Sequence, residues 1–268
     1  MKIRMTAAMV VGLLLAAPGE SEVVHVTVGP LARASLLRPS THRYVRYLVK
    51  PDGSRRLIDI WTRRLTYEPA PGTGKRAMRI QQRWDRPDGS VTLIQDSWFE
   101  PRTFRPLTHI RRTERGDKTV VWAFRFNRND IAGMPEVSAN ERSGFDMPQT
   151  EEHYNFEYDM ELLQALPLAP GRRFDIPFYD AGIDKQPDRY EFDVAGSAQL
   201  QGPDGKRIDC WLVTADYHTG KVTGRFWYSK KDQVLIREEG MMSDGTRLIK
   251  TLLPPEPEDD AGGSGAAR

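Results

Sequence analysis

The segment from Lys206 to Leu253 limits what this chain can fold into more than any other part of the sequence. Tight turns divide it into four stretches, and the pairs that mark them are Asp204-Gly205, Thr219-Gly220, Lys231-Asp232 and Asp244-Gly245. Gly and Asp tolerate the positive φ angles that short hairpins need. Between the turns the side chains alternate with the period of two that is typical of a β-strand. The segment therefore predicts an antiparallel meander of four strands.

The same alternation continues through most of the chain upstream. Turn signals that separate predicted hairpin strands are Pro51-Asp52-Gly53, Pro87-Asp88-Gly89 and Gly116-Asp117. The strand that ends at Phe126 is the most one-sided, because Val120, Trp122, Phe124 and Phe126 share one face. Residues 128–151 break the pattern, which predicts a long surface loop or flap, with a disordered insertion as the alternative.

One helix is predicted, from Asn155 to Leu166, with Asn155 as its cap and acidic residues in its first turns. Such a helix of about 12 residues is ~18 Å long and cannot cover about ten strands spaced ~4.8 Å apart. Either the sheet curls on itself or an apolar concavity stays open. We therefore predict a mainly β fold: a curved antiparallel meander, forming a half-barrel or open barrel, with one covering helix.

The two ends of the chain differ from this β-rich part. Residues 1–21 resemble a signal peptide, because Lys2 and Arg4 precede an apolar run of about 7–15 residues and then small residues. An uncleaved anchor is the alternative. Residues 22–253 are predicted to form a single β-rich domain, and residues 254–268 a disordered acidic and Gly-rich tail. No later apolar run is long enough to span a membrane. The sequence thus predicts a soluble protein exported to the periplasm.

The order of elements in the C-terminal half resembles a family of exported bacterial proteins of unknown function. The residues that carry the resemblance are Leu168-Ala169-Pro170-Gly171, Phe174-Asp175-Ile176-Pro177, Phe226-Trp227-Tyr228-Ser229, Lys231-Asp232 and Val234-Leu235-Ile236-Arg237, closed by Gly245. It covers roughly residues 155–253, and Leu235 stands where a proline is expected. Such proteins are similar in outline to periplasmic lipoprotein-carrier (LolA-like) half-barrels. The resemblance implies a curved antiparallel sheet wrapped on a helix, and no catalytic residues.

Little in the sequence indicates chemistry. The five histidines are too far apart for a local metal-binding pair, so neither a metal nor a cofactor is predicted. His109 is expected on the sheet surface and His153 in the packing at the helix entry. The Arg-Arg pairs, including Arg63-Arg64 and Arg111-Arg112, are expected on solvated faces because neighbouring residues of a strand point to opposite sides. With a net charge of +2, no concentrated basic face and therefore no nucleic-acid partner is predicted.

The aromatic residues provide the functional prediction. All six tryptophans fall on predicted strands, and an apolar concavity marks a ligand or partner site. The predicted ligand-binding residues are Trp122, Phe124, Phe126, Trp84 and Phe226. The first hypothesis is a non-enzymatic periplasmic carrier that holds a lipid, an acyl chain or an envelope partner. The alternative is a structural or assembly factor of the cell envelope whose concavity is filled by its own side chains. A hydrolase or lyase is the third hypothesis.

Overall fold

The computed structural model describes residues 23–255, so the predicted signal peptide and most of the predicted tail lie outside the described residues. Its strands are Val23–His25 (β1), Ser40–Val49 (β2), Arg55–Pro69 (β3), Arg76–Asp85 (β4), Val91–Phe99 (β5), Pro106–Arg115 (β6), Lys118–Phe126 (β7), Asp130–Gly133 (β8), Asp146–Pro148 (β9), Tyr154–Asn155 (β10), Arg173–Tyr179 (β11), Asp188–Gln201 (β12), Arg207–Ala215 (β13), Gly224–Ser229 (β14), Leu235–Met241 (β15) and Arg247–Leu252 (β16). Its helices are two 3-10 helices, Ala34–Leu36 and Phe156–Tyr158, and one α-helix, Asp159–Ala165 (α1).

All strands belong to one sheet. Its order is β1-β11-β12-β13-β14-β15-β16-β2-β3-β4-β5-β6-β7-β8-β9, and β10 also pairs with β11. Every pairing from β11 to β9 along this order is antiparallel, whereas β1 and β10 run parallel to β11. The sheet is open, because β1 and β9, the strands at the two ends of this order, are not paired with each other. The predicted fold class, a curved antiparallel meander with one covering helix, is confirmed, as are the four strands after Lys206.

The helix is shorter than predicted. Asn155 caps its start as expected, since the side chain accepts a hydrogen bond from the Glu157 N–H at 3.0 Å. The first turn is a 3-10 helix, and the α-helix ends at Ala165. Leu166 is already extended, with φ −85° and ψ 152°, because the ring of the following Pro167 disfavours the helical conformation in the residue before it.

The two ends of the curved sheet meet through side chains. Phe124 of β7 packs in one cluster with Tyr179 and Ala181, which end and follow β11. Arg142, in the segment between β8 and β9, donates hydrogen bonds to the Gly182 carbonyl and the Asp184 carboxylate, both at 2.7 Å. We call this contact the seam. The stretch 128–151, predicted as a loop, thus contains two short strands and forms one side of the seam.

The main core lies between the inner face of the sheet and the helix. Tyr158, Leu162 and Leu163 of the helical segment are fully buried in it. Trp61 and Trp84, opposite each other on β3 and β4, stack with ring centroids 5.2 Å apart. The interior of the curved sheet is therefore largely occupied by the protein's own side chains.

Among the residues described, no helix has both the length and the apolar character needed to cross a membrane.

Candidate functional site

A row of polar side chains crosses the otherwise apolar inner face. Arg63 of β3 pairs in register with Gln82 of β4, Gln82 with Gln95 of β5, and Gln95 with Arg111 of β6. Residues directly opposite on adjacent antiparallel strands lie side by side on the same face of the sheet. These four residues, which we call the polar row, therefore line up beneath the helical segment.

Arg63, on β3, is the residue at one end of the polar row. Its guanidinium group binds the Glu161 carboxylate with two nitrogens, at 2.7 Å for the Nε to Oε1 contact, and donates to Gln82 Oε1 at 2.7 Å. Both charged side chains are less than a tenth exposed. Burial alone would lower the pKa of Arg63, but the Glu161 carboxylate outweighs it and raises that pKa. The pair is thus a desolvated, charge-balanced contact between sheet and helix.

Glu157, one helical turn before Glu161, lies over the other end of the row, which Arg111 forms on β6. Its Oε1 accepts hydrogen bonds from Arg111 Nη2 at 2.6 Å and Gln95 Nε2 at 2.7 Å, and its Oε2 accepts one from Gln82 Nε2 at 3.1 Å. Burial favours the neutral acid, but the Arg111 and Arg63 guanidinium groups outweigh it and lower the pKa of Glu157. Three strands therefore supply the donors for one carboxylate.

Two expectations drawn from the sequence are wrong here. Arg63 and Arg64 point to opposite faces as predicted, but Arg63 is 3% exposed rather than solvated. His109 was expected on the sheet surface, and it is 1% exposed. In both cases the side chain is on the inner face, which the helix covers. The alternation of a strand assigns faces, whereas solvation depends on what packs against each face.

His109 is held as a neutral imidazole. Its Nδ1 lies 2.9 Å from the Ser97 hydroxyl on the adjacent strand, and its Nε2 has no hydrogen-bond partner among residues 23–255. Burial lowers the pKa of His109 to about 4, opposed by Glu157 and reinforced by Arg111. The His153 ring packs between Phe126 and Tyr179, as expected for a residue at the helix entry. Burial lowers the pKa of His153 to about 4 as well.

These two histidines predict a pH dependence of stability. Unfolded histidine takes up a proton near pH 6.5, but the folded protein resists doing so until about pH 4. Stability should therefore fall as the pH drops through this window, by about 3 kcal/mol for His109. Asp159 acts in the opposite direction, because burial raises its pKa to about 7. Urea unfolding at pH 7 and pH 4.5 should show a smaller loss for His109→Asn than for the parent; an equal loss would contradict the assignment.

The five predicted ligand-binding residues all lie on the inner face, but they are not an open surface. Trp84 stacks on Trp61, and Phe226 packs in the main core. Phe124 and Phe126 belong to the seam cluster, and Phe124 is 0% exposed. Trp122 is half-buried beside Arg111, its partner across β6 and β7. The structure thus separates these residues into the main core and the seam.

An open apolar recess lies on the opposite, outer face of the sheet. This recess, which we call the outer groove, has a volume of about 540 Å³, and its apolar lining includes Ala70, Trp98, Leu107, Ile110 and Met134. Phe126 also borders it. The charged groups at its rim are paired within the protein. Arg79 binds the Asp96 carboxylate at 2.8 and 2.6 Å while lying over the Trp98 ring, and Arg125 binds Glu136.

Sequence reasoning missed both the polar row and the outer groove. A signal for the row was present, because Gln82 falls on the same strand face as Ile80 and Trp84. A polar residue at an inward position indicates a buried partner. The helix partners of the row, Glu157 for Gln82 and Glu161 for Arg63, are more than 70 positions away in the chain. In the described part of the chain, no group of three or more His, Cys, Asp or Glu residues could hold a metal ion.

Comparison with known proteins gives a family but no activity. The model of a family described as "Protein of unknown function (DUF3108)" matches residues 56–250. A β-barrel-like DUF1849 protein from Brucella abortus is 10% identical, with a TM-score of 0.47 over 84% of this chain and 97% of that one. The hypothetical lipoprotein YmcC from Escherichia coli is 15% identical, with a TM-score of 0.29 over 84% and 90%. No curated protein matches. The family match includes the polar row and both helix carboxylates.

Proposed function

The chain belongs to the DUF3108 family of proteins of unknown function, and we propose that it is an exported, non-enzymatic binding protein that holds an apolar chain in the outer groove. The observation that carries this proposal is the apolar recess of about 540 Å³ around Trp98 and Ile110. Pockets for small ligands typically enclose about 300–1,000 Å³ and are lined mainly by apolar side chains. The family resemblance found in residues 155–253 is confirmed and extends upstream to residue 56.

The outer groove fits a ligand better than the inner face does. Trp84, Phe124, Phe126 and Phe226 are each less than a tenth exposed, so a ligand on the inner face would have to displace the helical segment from the main core or open the seam. The outer groove is open without any such rearrangement. We therefore assign the predicted aromatic residues of the inner face to the core and the ligand to the outer face.

The paired charges at the rim favour an uncharged occupant. Arg79 and Arg125 already bind Asp96 and Glu136, so neither cation needs a counterion from a ligand. Burying a charged group in the groove would cost free energy that no free partner offsets. A hydrocarbon chain instead removes apolar surface of Trp98, Leu107 and Ile110 from water, at about 25 cal/mol per Å². The proposed ligand is therefore an acyl chain, in the periplasm if residues 1–21 direct export.

A second candidate function is supported by the filled interior. A structural or assembly factor of the envelope needs no ligand cavity, and the inner face is packed with aromatic side chains around the helix. In that case the outer groove would receive an apolar segment of a partner protein. The two candidates differ in whether an isolated acyl chain binds.

Titration with a fluorescent fatty-acid analogue tests the proposal. We expect saturable binding to the parent protein and at least about tenfold weaker binding to Ile110→Glu, because the carboxylate places an unpaired charge in the groove. Ile94→Glu is the matched control. Ile94 lies on the adjacent strand and is 38% exposed, outside the groove, so its replacement should leave binding unchanged.

Two results would count against an acyl ligand. Absence of saturable binding to the parent protein would favour the assembly factor. Equal weakening by Ile110→Glu and Ile94→Glu would show that the probe binds elsewhere. Thermal unfolding of both variants establishes that each is folded under the conditions of the titration.

A further inference from the structure

The hydrogen-bond donors beneath Glu157 belong to the sheet, whereas the acceptor belongs to a short helical segment. Gln82, Gln95 and Arg111 lie in register on three adjacent strands, so the sheet fixes their spacing. All three donate to the Glu157 carboxylate. The strand pairing fixes the backbone positions of these donors independently of Glu157. The arrangement is therefore a carboxylate-binding site made of strands.

The charges of the polar row divide into two balanced halves. Arg63 is neutralised by Glu161, in a pair whose side chains are 3% and 9% exposed. Arg111 is neutralised chiefly by Glu157 at 2.6 Å, with Asp180 farther away at 3.9 Å. Without the Glu157 carboxylate, Arg111 would have a largely uncompensated charge beside two amide donors. Such a site favours an anion with two coplanar oxygen atoms.

Of the three donors, Arg111 is partly exposed to solvent, whereas Gln82 and Gln95 are buried. The side chains of Arg111 and Glu157 are 24% and 16% exposed, and Asp180 beside them is half exposed. A small ligand would therefore enter at Arg111, at the opposite end of the row from the Arg63–Glu161 pair.

We infer that Gln82, Gln95 and Arg111 form a carboxylate-binding site that Glu157 occupies as an internal ligand, and that a monocarboxylate from solution competes for it. The inference concerns the inner face and is independent of the outer groove. It assigns to this face a monocarboxylate as its class of ligand. Occupation by such a ligand would release the start of the helical segment from the sheet.

Chemical rescue tests the site itself. The substitution Glu157→Ala removes a CH2–COO⁻ group, and acetate has the same heavy atoms. We expect sodium acetate at about 100 mM to raise the Tm of Glu157→Ala in a saturable manner, by about 2–4 °C beyond sodium chloride at the same ionic strength. Glu157→Ala combined with Arg111→Met should show no such difference. If Glu157→Ala does not fold alone, acetate but not chloride should restore folding.

Glu136→Ala is a matched control. It also deprives an arginine of its carboxylate, but Glu136 and Arg125 are about half exposed on the outer face. Acetate and chloride should therefore affect it equally. An acetate response no larger in Glu157→Ala than in Glu136→Ala would overturn the site.

Hydrogen exchange of the parent protein tests competition. Acetate should accelerate exchange of the backbone amides of residues 157–161 relative to chloride, while the amides of β12 stay unchanged. Rescue of Glu157→Ala without this acceleration would overturn the competition.

Discussion

Replacing Arg63 with alanine is expected to lower the free energy of unfolding by about 3–5 kcal/mol, because the substitution leaves the buried Glu161 carboxylate without its partner. It also removes the donors to Gln82 Oε1 and to the Glu157 carbonyl. For a protein of this size, each kcal/mol corresponds to about 2–4 °C in Tm. Urea and thermal unfolding of the two proteins would measure the loss.

A matched arginine separates this effect from the loss of any ion pair. Arg79, on the next strand, also binds a carboxylate with two nitrogens, but on the outer face, where it and Asp96 are each 23% exposed. Arg79→Ala should cost only about 1 kcal/mol, since solvent takes over part of the interaction. Equal costs for the two alanine variants would show that Arg63 is not the exceptional contact described above.

The double substitution Arg63→Met with Glu161→Met tests the physical cause. Removing both charges leaves neither ion unpaired in the core. The double variant should therefore lose less stability than the sum of the losses in Arg63→Met and Glu161→Met. Additive losses would mean that the two residues act separately. A positive coupling would identify charge balance as the reason that the helix needs both groups.

Phe124→Ala is expected to destabilise the protein by a similar amount, about 3–5 kcal/mol, because a fully buried aromatic ring is replaced by a cavity. Phe124 packs edge-on against Phe145, at a centroid distance of 5.3 Å, and in one cluster with Tyr179. Its removal should loosen the seam, because no backbone ladder within the described part of the chain joins the ends of the sheet there. Hydrogen exchange should accelerate in residues 179–186 more than in β13.

Trp122→Ala provides the comparison along the same strand. Trp122 is half-buried and lies under the Arg142 guanidinium group, so truncation should cost less than at Phe124. If both variants are severely destabilised and the parent protein binds no fatty-acid probe, these results would favour the structural factor over the carrier. If both are mildly affected, the seam contributes less to stability than its burial indicates.

Local sequence signals were enough to predict the fold class and most of the strands of this protein, but not β8 and β9 in the stretch 128–151. Paired turn residues such as Asp244-Gly245 separate segments with a period of two, and Gly245 adopts φ +81° as its turn requires. These signals are local, because the turn conformation and the alternation of side chains depend on neighbouring residues. The same signals placed Trp122, Phe124 and Phe126 on one strand face.

The segment that packs against each face of a strand could not be predicted from these local signals. The inner face of β3 is dry at Arg63 because a helix almost a hundred positions downstream supplies Glu161. The outer face of β5 and β6 forms a recess because the segment around Ala70 and that around Met134 rise beside Trp98. The alternation of side chains with a period of two indicates which residues share a face of the strand. It contains no information on which distant segment covers them, and the burial of a charge depends on that segment.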